Sequence, residues 1–179
     1  MSFSKIIGRR QSQSPDFPEL RTKENIPVFV YGTLKKGFGN NRLLSNAKYL
    51  GRAKTIDKYR MYSNGGFPVL KLSDDGAIVS GEIYAVTPAE LLNTDALEAN
   101  GVMYQRHKRQ MTLYKNYHNS ELLTDKTLLD DVWIYEGISE HWNDFKGLKE
   151  VPRIHPAPVV GGSYLEWDNF TKNSYMCVG

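Results

Sequence analysis

Along the chain, apolar positions fall in short runs separated by polar and glycine-rich breaks, a pattern of strands and turns. Val28, Phe29, Val30 and Tyr31 are β-branched or aromatic and lie between Pro27 and Gly32, which predicts a strand. Gly32, free to take a positive φ, predicts an abrupt turn, and Thr33 and Leu34 lead into the polar run Lys35, Lys36, Gly37. Residues Asn40 to Asn46 have room for one or two helical turns. Residues 48–57 and 59–63 alternate weakly and read as strands, with Asn64-Gly65-Gly66 as the next turn. Phe67 to Leu72 resumes extended structure, and Asp74-Asp75-Gly76 reads as a hairpin turn into a strand over Ala77 to Val86. Gly81 inside that strand predicts a bulge or a close backbone approach.

The period then changes. Thr87 is a predicted N-cap, Pro88 takes the first helical position and Glu90 completes a capping box. Leu91, Leu92, Asp95, Leu97 and Glu98 continue the helix, and Ala99-Asn100-Gly101 ends it. Met103 to Tyr114 reads as a long strand, residues 115–130 as a polar excursion, and Val132 to Tyr135 as the last clear strand. The segment from Ile138, with Pro152, Pro156, Pro158 and Gly161-Gly162, has no clear period and suits a cover over one end of the core. Six or seven strands and one helix pack naturally as a curled, mostly antiparallel barrel with the helix against it.

Composition narrows this picture. At 179 residues the chain suits one domain with extensions, and eleven tyrosines, seven phenylalanines and three tryptophans favour strands and apolar clefts. A net charge of +3 is too small to argue for nucleic acid. The lone Cys177 excludes an internal disulfide and fits a reducing, cytoplasmic setting. No apolar run is long enough to span a membrane, and the first residues lack a signal-peptide pattern, so no membrane partner is expected. Residues 1–26, rich in Ser, Gln, Pro and charge and including Arg9-Arg10, read as a flexible arm.

The most informative single side chain is Glu98. It stands at a helix C-terminus, whose partial negative charge, together with any burial, raises a carboxyl pKa and makes a general base for neutral pH. Asp95, one turn earlier, either shares a proton with Glu98 or bonds nearby backbone. A strand ending in Gly32-Thr33 leaves backbone N–H groups that can converge on an anion such as a carboxylate. His107, His118, His141 and His155 have no metal-ligand spacing, and neither a nucleophile elbow nor a P-loop is present. Arg106, Lys108 and Arg109 beside Tyr104 read as a solvated basic strand face.

Four pieces occur in order: Val28-Phe29-Val30-Tyr31-Gly32-Thr33-Leu34-Lys35-Lys36-Gly37, Gly81-Glu82-Ile83-Tyr84-Ala85-Val86, Asp95-Ala96-Leu97-Glu98 and Tyr104-Gln105-Arg106. Together, and with Asn41-Arg42-Leu43-Leu44, they resemble the γ-glutamylcyclotransferase-like superfamily, most closely its γ-glutamylamine cyclotransferases. The resemblance implies an α+β fold, a small mixed and mostly antiparallel β-barrel with one main packed helix. It covers residues 27–137 as the domain, leaving 138–179 as an extension packing on it. It implies Glu98 as the catalytic acid/base and Tyr31, Gly32, Thr33 and Leu34 as the substrate-binding loop. Tyr104 lines the same cleft or packs in the core. The implied reaction is intramolecular: the α-amine of a small γ-glutamyl substrate attacks its own γ-carbonyl, 5-oxoproline forms and an amine leaves, without cofactor or metal. Where many relatives follow the acid with Gly, this chain has Ala99, a departure that can shift the acid. The rival reading is a non-catalytic small-ligand-binding or protein-interaction module on the same fold.

Overall fold

The computed structural model describes residues 25–114, 126–155 and 162–168. The arm with Arg9 and Arg10, residues 115–125 of the polar excursion, and Cys177 lie outside these. In chain order the elements are β1 (Ile26–Val30), a 3-10 turn (Gly39–Leu44), β2 (Lys48–Thr55), β3 (Tyr59–Ser63), β4 (Pro68–Leu72), β5 (Ile78–Val86) and α1 (Pro88–Leu97). Then come β6 (Tyr104–Tyr114), β7 (Lys126–Gly137), β8 (Lys149–Glu150) and β9 (Tyr164–Leu165).

Five strands close on themselves in the order β1-β7-β6-β2-β5, with β5 returning to β1. The closing strand β1 runs antiparallel to β5 (Val28 opposite Tyr84) and parallel to β7 (Val28 opposite Trp133). The other barrel pairings are antiparallel, so the barrel is mixed and mostly antiparallel, as the resemblance implies. β9 adds in parallel to β5, and β4-β3-β8 form a small second sheet.

β1 is apolar at every position from Val28 because both its faces are buried. Phe29 and Tyr31 join the barrel interior with Met61, Ile83 and Ile134. Val28 and Val30 face an outer cluster with Tyr84, Leu91, Tyr104 and Tyr135. Gly81 makes the expected close approach: a Cβ there would sit 2.4 Å from the Val30 carbonyl oxygen.

Three expectations change. The Asp74–Gly76 turn joins no hairpin, since β4 pairs with β3 while β5 belongs to the barrel; the turn carries the chain from one sheet to the other. The last barrel strand starts at Lys126, inside the stretch read as a polar excursion, because only Leu129 among residues 126–131 is buried and alternation there is faint. Short strands also occur after Ile138, where the sequence has no period: β8 pairs with β3, and β9 leads to the fully buried Trp167.

Candidate active site

The end of β1 and the end of α1 meet at one cavity of about 330 Å³. Its wall includes Tyr31, Gly32, Thr33, Leu34, Glu98 and Tyr104, so every residue expected at the site is brought together. Phe29, Val30, Asn40, Phe67, Pro68, Leu97, Met103 and Tyr135 complete the lining.

The loop after β1 is held from several directions. The Lys35 N–H donates to the Gly32 carbonyl at 3.1 Å, closing a turn, and the Lys36 N–H donates to Glu82 Oε2 at 3.0 Å. Asn41 Nδ2 donates to the Leu34 carbonyl at 2.7 Å and to the Tyr84 hydroxyl at 3.0 Å, while Asn40 Nδ2 donates to Thr33 Oγ1 at 2.9 Å. The N–H groups of Gly32, Thr33 and Leu34 have no acceptor among the described residues. Three such donors in succession are able to converge on an anion. Gly32 does not take the positive φ expected of it. Glycine is required there for another reason: a Cβ would lie 2.9 Å from the Pro68 ring.

The helix supplies the acid. Thr87 accepts from the Glu90 N–H at 3.2 Å and Glu90 accepts from the Thr87 N–H at 2.8 Å, the expected capping box. At the other end the Asn100 N–H reaches the Asp95 carbonyl at 2.9 Å and the Ala99 N–H reaches that of Ala96 at 3.3 Å, the paired bonds of a Schellman stop. Ala99 occupies its left-handed position with φ 46°. Alanine therefore adopts the backbone form that glycine favours, and Glu98 remains at the helix C-cap with its side chain on the cavity wall.

The Glu98 carboxyl has no hydrogen bond or ion pair among the described residues. Burial pushes its pKa up to about 7. Burial, and then the charge of Glu98, also raises the Tyr104 hydroxyl. Burial dominates the rise at Tyr31, with Tyr104 and Glu98 adding to it. Both tyrosines therefore stay neutral beside the acid, with their hydroxyls turned to protein: Tyr31 donates to the Tyr135 carbonyl at 2.7 Å and Tyr104 to the Pro68 carbonyl at 3.0 Å.

Asp95 pairs with neither Glu98 nor backbone through its side chain. The Tyr135 hydroxyl donates to it at 2.6 Å, and Arg106 Nε lies 3.1 Å away. The expected basic face divides: Arg106 turns to Asp95, while Arg109 turns to Glu136 at 2.8 Å. Sequence reasoning missed the roles of Glu82, Pro68 and Tyr135. Glu82 and Pro68 act through contacts with residues far away in sequence; the Gly81–Val86 piece contains Glu82 without assigning it a contact, and no local pattern marks Pro68. Among the described residues no three His, Cys, Asp or Glu side chains cluster as a metal site, and no helix is long and apolar enough to cross a membrane.

The family described as gamma-glutamyl cyclotransferase, AIG2-like, matches residues 28–151, reaching past residue 137 to the region of β8. A gamma-glutamylcyclotransferase family protein of Escherichia coli K12 is 38% identical over 84 residues, spanning 44% of this chain and 67% of that protein. The gamma-glutamylaminecyclotransferase of Homo sapiens is 37% identical over 87 residues, spanning 44% of this chain and 57% of that protein. In three dimensions, an AIG2-like protein from Mus musculus superposes with a TM-score of 0.55 at 25% identity, covering 74% of this chain and 99% of its own.

Proposed function

The chain belongs to the AIG2-like gamma-glutamyl cyclotransferase family, and from that premise we propose that it cyclises a small γ-glutamyl amide to 5-oxoproline and releases the amine. The observation that supports this reading best is one cavity holding both an unpaired carboxyl titrating at about 7 and three free backbone donors.

The donors of residues 32–34 bind the α-carboxylate of the glutamyl group. The substrate then folds so that its α-nitrogen faces its own γ-carbonyl carbon. Ionised Glu98 takes a proton from the α-ammonium, and the freed lone pair forms the new C–N bond of a five-membered ring. The proton passes to the amide nitrogen as its bond to the γ-carbon breaks; the ring nitrogen gives its surplus proton to Glu98 in the same collapse, and Glu98 passes it on to the departing amine, which leaves as its ammonium. Glu98 ends as it began, and no second reactant or cofactor enters. Because nucleophile and electrophile belong to one molecule, the main task of the protein is orientation. A pKa near 7 lets one carboxyl serve both proton transfers. Tyr31 and Tyr104 contribute ring faces to the substrate cavity.

The test is 5-oxoproline release, followed by mass spectrometry, from a panel of γ-glutamyl amides. Glu98→Gln is expected to lower turnover by roughly 10²–10⁴-fold, the usual worth of a positioned acid/base. Wild-type turnover by that variant would remove Glu98 from the mechanism. Tight ligand binding with no product from any γ-glutamyl amide would favour a non-catalytic binding module.

A further inference from the structure

We infer that Tyr135 is a positioning residue of this site: its hydroxyl, seconded by the Asp95–Arg106 pair, holds the end of α1 so that the Glu98 carboxyl stays on the cavity it shares with the Gly32–Leu34 loop. This rests on the cyclotransferase reading and deepens it.

Glu98 does not hold itself in place. Its carboxyl has no hydrogen bond or ion pair among the described residues, so its position follows that of the helix end. Apolar packing secures the helix only in part: of its ten residues Leu91 and Thr94 alone are buried, while Leu92 is 68% exposed. Polar contacts therefore decide how the last turn lies against the barrel.

Tyr135 on β7 supplies the central contact. Its O–H donates to Asp95 Oδ1 at 2.6 Å, and the Thr94 hydroxyl lies 2.9 Å from the same oxygen. Its carbonyl accepts from the O–H of Tyr31, the residue before Gly32, at 2.7 Å. One residue thus bonds both to the helix that carries the acid and to the strand that leads into the loop. Arg106 on β6 grips the same helix end twice. Its Nε lies 3.1 Å from Asp95 Oδ1, and its N–H donates to Asn100 Oδ1 at 2.9 Å. Asp95 and Asn100 flank Glu98 in the chain, and the Asn100 N–H closes back on the Asp95 carbonyl at 2.9 Å. The Arg106 guanidinium is itself seated on the Trp133 ring, 4.2 Å from its centroid. The Asp95 and Arg106 side chains are only 15% and 18% exposed, so water and salt screen their attraction less than at an open surface.

The Tyr135 hydroxyl is committed to the helix, so its effect on the reaction passes through Glu98. A reacting group displaced by about 1 Å loses on the order of 10²-fold in rate. The backbone donors of residues 32–34 are untouched by such a shift, so substrate affinity changes little.

The experiment is Tyr135→Phe in the full chain, a change that keeps the ring on the cavity wall and the carbonyl that holds Tyr31. With γ-glutamyl-benzylamide as the probe, kcat is expected to fall by about tenfold or more while KM changes by less than about threefold. A carbon-13 NMR titration of labelled glutamate, read without substrate, should show the Glu98 midpoint drop from about 7 by about one pH unit as water reaches the displaced carboxyl. A loss confined to fold stability would lower Tm and leave that midpoint in place, and so would overturn the inference; an unchanged kcat would do the same. Asp95→Ala removes the acceptor of the same bond, so its loss in kcat and that of Tyr135→Phe should not multiply in the double variant. Losses that multiply would show that the hydroxyl does not act through Asp95. If the natural chain forms no 5-oxoproline from any γ-glutamyl amide, the cyclotransferase reading falls, and the Glu98 midpoint still decides whether Tyr135 holds the carboxyl in place.

Discussion

Glu98 keeps its carboxyl where ionisation works against folding. Its pKa rises from 4.5 unfolded to about 7 folded, so between those values the native state holds a proton that the unfolded chain has released. Stability therefore falls as pH rises through that window and levels off above it. Glu98→Gln cannot titrate, so its Tm relative to the natural chain should improve from pH 4.5 to pH 8. The expected relative gain is on the order of 5 °C, about 2 kcal/mol after allowing for screening by water in the cavity. Thermal scans at the two pH values check it, and a flat difference would mean that Glu98 is ionised freely. On the proposed mechanism the same titration governs turnover: kcat/KM should climb with slope one through pH about 7 as the base form appears. At this scale the chain already pointed to the acid, because a glutamate closing a helix is electrostatically misplaced. It did not point to Pro68. The reason for Gly32 is a proline ring brought against it by folding, which no local pattern of turn residues encodes.

The helix end shows how a local departure is absorbed. Ala99 sits at φ 46° in a Schellman stop, the position where a Cβ is unfavourable. Ala99→Gly should stabilise the protein by roughly 0.5–1 kcal/mol while leaving Glu98 in place, measured by denaturant midpoint at constant m-value. Destabilisation would mean that the left-handed backbone is wrong. The start of this helix was fully readable, since a capping box depends on residues three apart. The β-strands were less so. β3 could be read to its boundaries, whereas the start of β7 is masked by Lys126, Asp130 and Asp131 on its exposed face. The turn at Asp74–Gly76 has hairpin residues, but the partner of the next strand is chosen by barrel closure, not by the turn.

At the scale of the whole molecule, the segment after Ile138 is more than a cover. Leu165 and Trp167 lie in the barrel interior, 2% and 0% exposed, with Met111 and Ile134. Glu166 between them meets Arg52 at 2.7 Å and lies 3.9 Å from Lys35, the residue just past the Gly32–Leu34 loop. Trp167→Ala should cost about 3–5 kcal/mol, the usual loss for a large buried aromatic, seen as a lower denaturant midpoint. A loss under about 1 kcal/mol would show that the barrel closes without this plug. None of this was legible, because two strand residues and one tryptophan make no periodic signal.

The barrel is closed by a strand whose two neighbours are written far apart in the chain. β1 lies between β5 and β7, and Val28 meets Trp133 only after nearly the whole domain has been synthesised. Until then one edge of an apolar ribbon stays open, and the Gly32–Leu34 loop attached to its end has no cavity wall to face. Assembly of the cavity is thus tied to the most non-local strand pairing among the described residues, the kind that folding reaches late. A nascent chain stalled before β7 would present a sticky edge in place of an unfinished enzyme.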